Sequence, residues 1–409
     1  MPPNRPRAKP PAMLFHRILG RLVRHGTLAV TYPGGHTHTY GDGQPPKVAF
    51  ALRTPVAERR MVTDPSLAIG ELYMSGDLVP LGCGPYDVID IFLHNLFTGH
   101  VHPMETAMKA LRRVRRRVDQ YNPAHRARRN VAHHYDLDAR LYRLFLDEDL
   151  QYSCAYFRTG TETLEQAQAA KKAHVAAKLH LTRPDLDVLD IGCGWGGMAL
   201  TLARDHGARV TGITLSKEQL AIARARAAEA GLADRVTFEL MDYRAWTRPM
   251  DRIVSVGMVE HVGLNHYGSF FRTIRATLRE DGVALVHGIG RAAGPGTTNP
   301  FLAKYIFPGG YIPALSEVLP HIERSGLWLT DLEILRLHYA ETIRHWRERF
   351  AVNREQVKAL YDERFCRMFE FYLAGSEIAF RRVDQMVWQA QLTRTRDALP
   401  LTRDYLVGA

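Results

Sequence analysis

The sequence predicts an α/β protein in which a sheet domain with helices on both faces follows a smaller α+β domain. From about residue 131 onward, short apolar runs alternate with helical stretches, which is typical of parallel sheets covered by helices. A glycine-rich turn joins the first of these runs to a helix. Before residue 80, short β-prone runs lie between glycine, proline and aspartate residues. At 409 residues, the chain is long enough to bury two cores.

The sheet domain is predicted to be Rossmann-like, with strands and helices in alternation. The predicted strands are residues 187–191, 209–214, 236–241, 252–256 and 282–289. The predicted helices between them include residues 198–206 and 217–230. Ser216 and Gln219 predict a capping box at the start of the second helix, and Gly231 predicts its end. After residue 290 the alternation gives way to further helical segments, which predicts helical insertions.

Composition divides the chain into four predicted segments. These are a disordered tail (1–12), an N-terminal domain (13–108), a basic linker (109–130) and the sheet domain (131–409). Within the N-terminal domain, residues 27–32, 48–52 and 67–74 are β-prone, and residues 86–100 are expected to be helical. Residues 14–30 mix apolar and basic side chains, which predicts an amphipathic helix with a basic face.

The formal net charge of +11 predicts an anionic partner or surface, because such a charge attracts nucleic acid and anionic lipid alike. Much of this charge lies between Lys109 and Arg129. The basic residues there are Lys109, Arg112, Arg113, Arg115, Arg116, Arg117, Arg126, Arg128 and Arg129. A run of this kind is also typical of a solvated helix face or a linker.

The four cysteines are widely spaced and form no C-x-x-C pair. Their spacing predicts neither a metal site nor a disulfide framework, and it favours a reducing, cytoplasmic compartment. No apolar run approaches the ~20 residues that a membrane-spanning helix needs.

Residues 188–197 (VLDIGCGWGG) carry the most informative pattern, an apolar strand followed by a glycine-rich turn. Gly192, Gly194 and Gly196 let a ligand approach the backbone closely, since glycine has no Cβ. The same glycines fit a dinucleotide-binding turn. However, Asp190 at the strand end suits an amine-bearing ligand, and the next strand ends without the acidic residue that binds the ribose of NAD. The pattern resembles that of methyltransferases that use S-adenosylmethionine (SAM).

Other strand ends carry further candidate residues, each with a plain structural alternative. Asp242 and Tyr243 follow the third strand, where a carboxylate accepts a hydrogen bond from an adenine amino group or stabilises a local turn. Thr214, Ser216 and Gln219 either contact the cofactor or only end the strand and cap the next helix.

A second group of candidates lies near the fourth and fifth strands. Glu260 and His261 follow the fourth strand, at the edge where open α/β sheets bind ligands, although either could face solvent. His287 lies in an apolar strand, where histidine is commonly a core residue. Cys154 is a candidate nucleophile, but a free cysteine is mostly a small buried apolar residue.

Several motifs in order closely resemble the cyclopropane-fatty-acyl-phospholipid synthases and the related mycolic acid cyclopropane synthases, over about residues 131–388. They are residues 151–156 (QYSCAY), 188–197, 251–263 (DRIVSVGMVEHVG), 304–310 (KYIFPGG) and 364–369 (RFCRMF). The resemblance implies a SAM-dependent enzyme that adds a methylene bridge across a cis double bond of a phospholipid acyl chain. It also implies that the N-terminal domain binds lipid, that the chain forms a homodimer, and that it works at the inner face of the membrane.

The resemblance implies two sets of site residues. The implied SAM-binding positions are Tyr152, Ser153, Asp190, Gly192, Gly194, Gly196, Thr214, Ser216, Gln219, Asp242 and Tyr243. The implied ligands of a catalytic bicarbonate ion are Cys154, Glu260, His287, Tyr339 and, through its backbone, Ile289. No metal is implied.

Three other functions remain open from the sequence. The same donor and acyl chain would give a methylene- or methyl-branched product if the intermediate cation lost a different proton. A lipid-binding protein that kept the fold without turnover is a second alternative, although Asp190, Glu260, His287 and Tyr339 are all present. A nucleic-acid methyltransferase is a third, and it would need base-flipping and stacking features that the sequence does not display.

Overall fold

The computed structural model describes residues 13–98 and 138–406, and these residues form two compact units. The first unit contains the described part of Met1–Leu111 together with Asn299–Ile306 and Phe350–Val383. The second unit contains the remaining described residues. Two late segments that the sequence placed in the sheet domain thus group with the N-terminal residues. The predicted tail and basic linker lie outside the described residues, so their boundaries stay predictions.

The first unit contains a four-stranded mixed sheet and helices. Its N-terminal elements are α1 (Met13–Leu22), β1 (Thr27–Thr31), β2 (Thr37–Gly41), β3 (Lys47–Leu52), α2 (Pro55–Thr63), α3 (Pro65–Ser75), β4 (Leu78–Pro80) and α4 (Pro85–Thr98). Its later elements are α11 (Pro300–Tyr305), α14 (Arg354–Leu360) and α15 (Glu363–Arg382). The strand order is β2–β1–β3–β4, with β1 parallel to β3. The expected amphipathic helix ends at Leu22, earlier than expected.

The strand predicted over residues 67–74 is wrong, because these residues lie in helix α3. Pro65 occupies the first turn, where its missing N–H costs nothing, and Gly76 ends the helix in a left-handed conformation. Ala68 and Leu72 are both buried and lie four residues apart, so they share one helix face. This helical spacing decides the structure, although several residues of the segment favour strands.

Helix α3 also carries the polar contacts that hold the late segments within the first unit. Glu71 accepts hydrogen bonds from Lys304 Nζ at 2.6 Å and from the Tyr305 hydroxyl at 2.7 Å. The Tyr73 hydroxyl donates to Glu370 Oε2 on α15 at 2.9 Å. These bonds link residues that are more than two hundred positions apart in the sequence.

The second unit is built around a seven-stranded sheet. Its elements are α5 (Ala139–Arg143), α6 (Leu164–Leu179), β5 (Asp187–Ile191), α7 (Gly197–His206), β6 (Arg209–Thr214), α8 (Lys217–Glu229), β7 (Val236–Leu240), β8 (Met250–Val256), α9 (Val259–Val262), α10 (Tyr267–Thr277), β9 (Leu278–Arg291), α12 (Leu315–Ser325), β10 (Trp328–Leu335), α13 (His338–Val352) and β11 (Gln385–Thr393). The strand order is β10–β11–β9–β8–β5–β6–β7. The five predicted strands are confirmed as β5 to β9, with β9 longer than expected at both ends.

Alternate residues of the central strands pack on opposite faces of this sheet. Leu189 and Ile253, which pair in register on β5 and β8, lie in the same buried cluster as residues of α10 and α12. Val188 and Val254 lie in another cluster with residues of α6, α7 and α8. The sheet is therefore the middle of three layers, as the α/β prediction requires. Among the described residues, no helix is both long enough and apolar enough to cross a membrane.

Candidate active site

A cavity of about 150 Å³ lies at the carboxyl ends of the parallel strands. The chain runs from β5 outward to β6 and β7, and then returns to β8 on the other side of β5. Such a switch point opens a crevice above the strand ends, where α/β sheets bind ligands. Nine of the predicted cofactor residues line the cavity: Tyr152, Ser153, Asp190, Gly192, Gly194, Thr214, Gln219, Asp242 and Tyr243.

The glycine turn shapes one wall of the cavity. Gly192, Gly194 and Gly196 all have left-handed φ angles, of 83°, 54° and 86°. A Cβ at Gly194 would meet no atom within 4 Å, so this position leaves room for a ligand. A Cβ at Gly196 would lie 2.6 Å from Cζ of Phe238. Gly196 does not line the cavity, and its role is to let the turn pack against this ring.

Asp190 brings a buried acid to the cavity at the end of β5. Only 3% of the residue is exposed, and burial raises the pKa of its carboxyl to about 7. The positive charge of Lys171 acts in the opposite direction. An amine-bearing ligand would favour the ionised carboxylate, because the two opposite charges attract strongly when they are away from water.

The β6 end of the cavity is fixed by a small hydrogen-bond network. The Thr214 hydroxyl donates to Gln219 Oε1 at 2.9 Å, and the Ser216 amide donates to Thr214 Oγ1 at 3.2 Å. The Ser216 hydroxyl caps α8 by accepting from the Gln219 amide. The second half of the predicted capping box is absent, because the Gln219 side chain faces Thr214 and the cavity. Ser216 supports this arrangement without lining the cavity.

Asp242 and Tyr243 line the cavity beyond the end of β7. Asp242 Oδ1 accepts from the Arg244 amide at 3.0 Å, so the local turn expected for an aspartate is present. Its buried Oδ2 accepts no hydrogen bond from the described residues, although Arg244 Nη1 lies 3.7 Å from it. The Tyr243 ring packs edge-on against Phe270. The acid therefore keeps one acceptor atom for a ligand, such as an amino group of a purine.

Aromatic rings support Tyr152 on the other side of the cavity. Its ring centroid lies 5.1 Å from that of Trp346 and 5.3 Å from that of Tyr142. Tyr339 packs edge-on against the same Trp346 at 5.7 Å. Trp346 thus connects a predicted cofactor residue with a predicted catalytic residue on α13.

Glu260 is held against β9 through one carboxylate oxygen. Its Oε1 accepts the backbone N–H of Ile289, while its buried Oε2 accepts no hydrogen bond from the described residues. Burial raises the pKa of this carboxyl to about 7. The Ile289 amide, which the resemblance implies as an anion ligand, therefore donates to Glu260 in this structure.

His287 lies two residues before Ile289 on β9, so the two residues share one face of the strand. Burial lowers the pKa of His287 to about 3, which keeps the imidazole neutral. Gln389 Nε2 on β11 donates to His287 Nδ1 at 3.1 Å, and the proton of the neutral ring then lies on Nε2. Sequence reasoning missed Gln389, because its position beside His287 depends on the register between β9 and β11.

Cys154 is completely buried, and burial raises the pKa of its thiol. A thiol that stays protonated is a weak donor and a poor nucleophile, which argues against the nucleophile hypothesis. The adjacent Ala155 amide donates to Thr342 Oγ1 on α13 at 3.0 Å. Thr342 lies three residues after Tyr339, so this bond ties the Cys154 segment to the helix that carries Tyr339.

Lys171 on α6 is a cavity residue that sequence reasoning missed. It is completely buried, and its charge acts on Cys154, Asp190 and His287. His261 also lines the cavity, and burial lowers its pKa to about 4. None of the predicted catalytic residues (Cys154, Glu260, His287, Ile289 and Tyr339) lines the cavity itself. Among the described residues, no group of three or more His, Cys, Asp or Glu side chains is arranged to hold a metal ion.

Comparison with known families matches both parts of the chain. The family model described as mycolic acid cyclopropane synthetase matches residues 123–390. A second model, described as a domain of unknown function, matches residues 14–82.

Three curated relatives show the extent of similarity. A cyclopropane-fatty-acyl-phospholipid synthase of Escherichia coli (strain K12) is 35% identical over 382 residues, covering 93% of this chain and 94% of the relative. The tuberculostearic acid methyltransferase UfaA1 of Mycobacterium tuberculosis is 34% identical over 413 residues, covering 96% and 93%. A probable fatty acid methyltransferase of Pseudomonas putida is 42% identical over 260 residues, covering 62% of this chain and 66% of the relative.

Solved structures match the part of the chain that carries the cavity. The cyclopropane synthase MmaA2 from Mycobacterium tuberculosis has a TM-score of 0.63 at 33% identity, covering 66% of this chain and 98% of that one. The mycolic acid cyclopropane synthase CmaA1, complexed with SAH and CTAB, has a TM-score of 0.62 at 33% identity, covering 67% and 99%.

Proposed function

Since this chain belongs to the mycolic acid cyclopropane synthetase family and is a SAM-dependent methyltransferase of the cyclopropane-fatty-acyl-phospholipid synthase type, we propose that it adds a methylene bridge across a cis double bond of a phospholipid acyl chain. The observation that carries this proposal is Glu260 Oε2, a buried acceptor without a partner among the described residues. It is held beside His287 by the Ile289 amide, in the same unit as the cofactor cavity.

The cavity residues suit the two ends of SAM. Asp242 and Gln219 would hold the adenosine part, while Tyr152, Ser153 and Asp190 would hold the methionyl part. SAM supplies the methyl group from a sulfonium, which an isolated alkene needs because it is a poor nucleophile. The fixed strand ends and the aromatic support of Tyr152 would keep the sulfonium in line with the double bond. Methyl transfer leaves a carbocation on the acyl chain, so the site must exclude water.

A base is then needed to take a proton from the new methyl carbon and close the ring. Bicarbonate is the group implied by the family, and when bound it supplies this base. The residues present fit such an ion. His287 Nε2–H is a donor for its negative oxygens, whereas Glu260 Oε2 is an acceptor for its O–H. The Cys154 thiol donates to the Ala155 carbonyl at 3.3 Å in this structure, so the parts of Cys154 and Tyr339 in the ion site rest on the family resemblance. Glu260 and His287 orient the ion in this proposal and do not themselves remove the proton.

A second candidate product is a methylene- or methyl-branched acyl chain. The donor, the pocket and the first methyl transfer are the same, and only the fate of the cation differs. Loss of a chain proton gives a methyl-branched alkene, and a 1,2-hydride shift followed by loss of a methyl proton gives a methylene branch. Two relatives named as fatty acid methyltransferases, at 34% and 42% identity, favour this alternative.

Product analysis separates the two reactions. The full chain, incubated with SAM and vesicles of cis-unsaturated phospholipid, is expected to give fatty acids heavier by one CH₂ with a saturated ring. Gas chromatography against authentic cyclopropane and methylene-branched standards, with mass spectrometry, identifies the product. A branched alkene would move the assignment to the second candidate. No modified lipid, despite bound SAM, would contradict both.

We also propose that the enzyme associates with the inner face of the membrane and forms a homodimer. The net charge of +11 supports contact with anionic headgroups through the N-terminal domain (13–108) and the basic linker (109–130). The linker lies outside the described residues, so its sequence alone carries this part of the proposal. The homodimer rests on the family resemblance.

Reversing the charge of Arg115, Arg116 and Arg117 is expected to weaken binding to anionic vesicles. Each basic residue near an anionic surface contributes about 1 kcal/mol, so the triple Arg→Glu variant is expected to lose most of its affinity at low salt. Co-sedimentation with vesicles of stated anionic content measures the effect, and neutral vesicles provide the control. Equal binding by the variant and the parent protein would assign these arginines to a plain linker.

A further inference from the structure

Lys171 is a buried cation in the cofactor cavity, and no carboxylate of the described residues lies within ion-pair distance of its ammonium. It lies on α6, lines the cavity and has no solvent-exposed surface. Its ammonium donates to two neutral acceptors, Gln151 Oε1 and Ser153 Oγ, the latter at 3.0 Å. These acceptors use two of its three N–H groups. Burial lowers the pKa of Lys171 to about 8, although the charges of Asp147 and Asp149 act in the opposite direction.

Two neighbouring lysines on the same helix are arranged differently. Lys172 lies 2.5 Å from Asp149, and Lys178 lies 2.5 Å from Glu333, so each has a carboxylate partner. Buried charges are normally paired, since removing an ion from water costs several kcal/mol. Lys171 has only more distant carboxylates around it, so a ligand with an anionic group could form the direct ion pair that the protein does not supply.

We propose that Lys171 forms the subsite for the α-carboxylate of the methionyl group of SAM. This inference rests on the assignment of the cavity to SAM. The amino-acid end of SAM carries one ammonium and one carboxylate. Asp190 and Lys171, two buried residues of opposite charge on the same cavity, complement these two groups. In this assignment, Lys171 is the residue that binds the carboxylate of the cofactor.

The residues around the cavity support this orientation of SAM, with the methionyl group near Lys171 and the adenosine at the opposite end. Asp242 and Gln219 lie at the β6 and β7 ends of the cavity, where polar acceptors suit an adenosine. Ser153 lies beside Lys171 and lines the cavity as well, so its hydroxyl adds a second donor or acceptor next to the ammonium. Gln151, which also lines the cavity, is held in place because its Nε2 donates to Asp149 at 2.9 Å while its Oε1 accepts from Lys171.

A carboxylate at this place also reduces an electrostatic conflict. SAM carries a positive sulfonium, and a bare buried ammonium in the same cavity would repel it. A carboxylate bound to Lys171 would reduce the repulsion between this ammonium and the sulfonium. Two other roles for Lys171 predict a different outcome for ligand binding. A purely structural lysine would give no preference for ligands that carry the carboxylate. A lysine that acts as a base on the lipid would give no such preference either.

The test compares two ligands that differ only in the carboxylate. Isothermal titration calorimetry measures the affinity of the full chain for S-adenosylhomocysteine (SAH) and for its decarboxylated form, S-adenosyl-3-thiopropylamine. The parent protein is expected to prefer SAH by about 10- to 100-fold, as a charge-assisted hydrogen bond would give. In Lys171→Met, this preference is expected to fall close to 1, while affinity for the decarboxylated ligand changes little. Lys172→Met, which removes a paired lysine outside the cavity, is the matched control and is expected to keep the full preference.

The ratio of the two affinities is a readout that general damage to the fold does not change. A Lys171→Met protein that still prefers SAH as strongly as the parent would overturn the carboxylate assignment. Equal binding of both ligands by the parent protein would also overturn it. A parent protein that binds neither ligand would instead contradict the proposed SAM cavity.

Discussion

Replacing Glu260 with glutamine is expected to lower kcat about 100-fold or more while leaving SAH binding unchanged. Glutamine keeps an oxygen for the Ile289 N–H, so the local backbone stays in place. The change acts at the other atom, where the unpartnered Oε2 becomes an NH₂ group. An acceptor is thereby replaced by a donor, which faces the O–H of the proposed ion without forming a hydrogen bond. Steady-state turnover on unsaturated vesicles, with SAH affinity by calorimetry, measures both quantities.

Glu239→Gln is the control for this substitution. Glu239 lies on β7 and pairs with Arg248 at 2.6 Å, away from the proposed chemistry, so its variant is expected to keep parental turnover.

At saturating SAM, the parent enzyme is expected to lose turnover as the pH falls through about 7. Burial raises the pKa of Glu260 to about 7, and only its ionised form accepts hydrogen bonds at both oxygens. Unchanged turnover in Glu260→Gln would contradict the ion-site proposal.

Replacing Gly196 with alanine is expected to destabilise the second unit by about 2–5 kcal/mol and to weaken SAH binding. About 1–2 kcal/mol comes from placing a Cβ in the left-handed region, at a φ of 86°. A further 1–3 kcal/mol, approximately, comes from overpacking, since the new Cβ would lie 2.6 Å from Cζ of the buried Phe238. The turn must then shift, and it forms a wall of the cofactor cavity. Urea denaturation and SAH titration measure the two effects.

Gly231→Ala isolates the backbone contribution. Gly231 also has a left-handed φ, of 66°, but a Cβ there meets no atom within 4 Å. Its variant is expected to lose only the backbone part, about 1–2 kcal/mol, and to bind SAH normally. Phe238→Leu is expected to recover part of the stability lost in Gly196→Ala, because the contact is between these two residues. Equal losses in the two glycine variants would show that the contact with Phe238 carries no energy.

The sheet of the second unit was predictable because its strands are buried on both faces. Val188, Leu189 and Ile191 are all buried in β5, and the adjoining turn signals the end of the strand with glycine. The cofactor residues at these strand ends were predictable for the same reason, since parallel strands bring their carboxyl ends to one edge. Their placement around one cavity agrees with the pattern in the sequence, although their individual roles stay proposals.

Features that depend on distant packing were not predictable. The helix over residues 67–74 is a different case, because its local signals, Pro65, Gly76 and the i, i+4 pair Ala68 and Leu72, were outweighed in the prediction by neighbouring β-prone residues. Lysine is rarely buried, so nothing in the sequence separates the completely buried Lys171 from the paired Lys172 beside it. Gln389 gains its place only when β11 pairs with β9.

The late segments within the first unit set the order in which this unit can fold during synthesis. Tyr73 and Glu370 are bonded across 297 positions, and Asp90 and Arg382 across 292. At about 5–20 residues per second, the ribosome needs about 15–60 s to supply the second partner of each pair. Until then, the face of α3 that α15 covers has no partner of its own chain and is open to aggregation or chaperones. The first part of the chain to be made is thus among the last to finish folding.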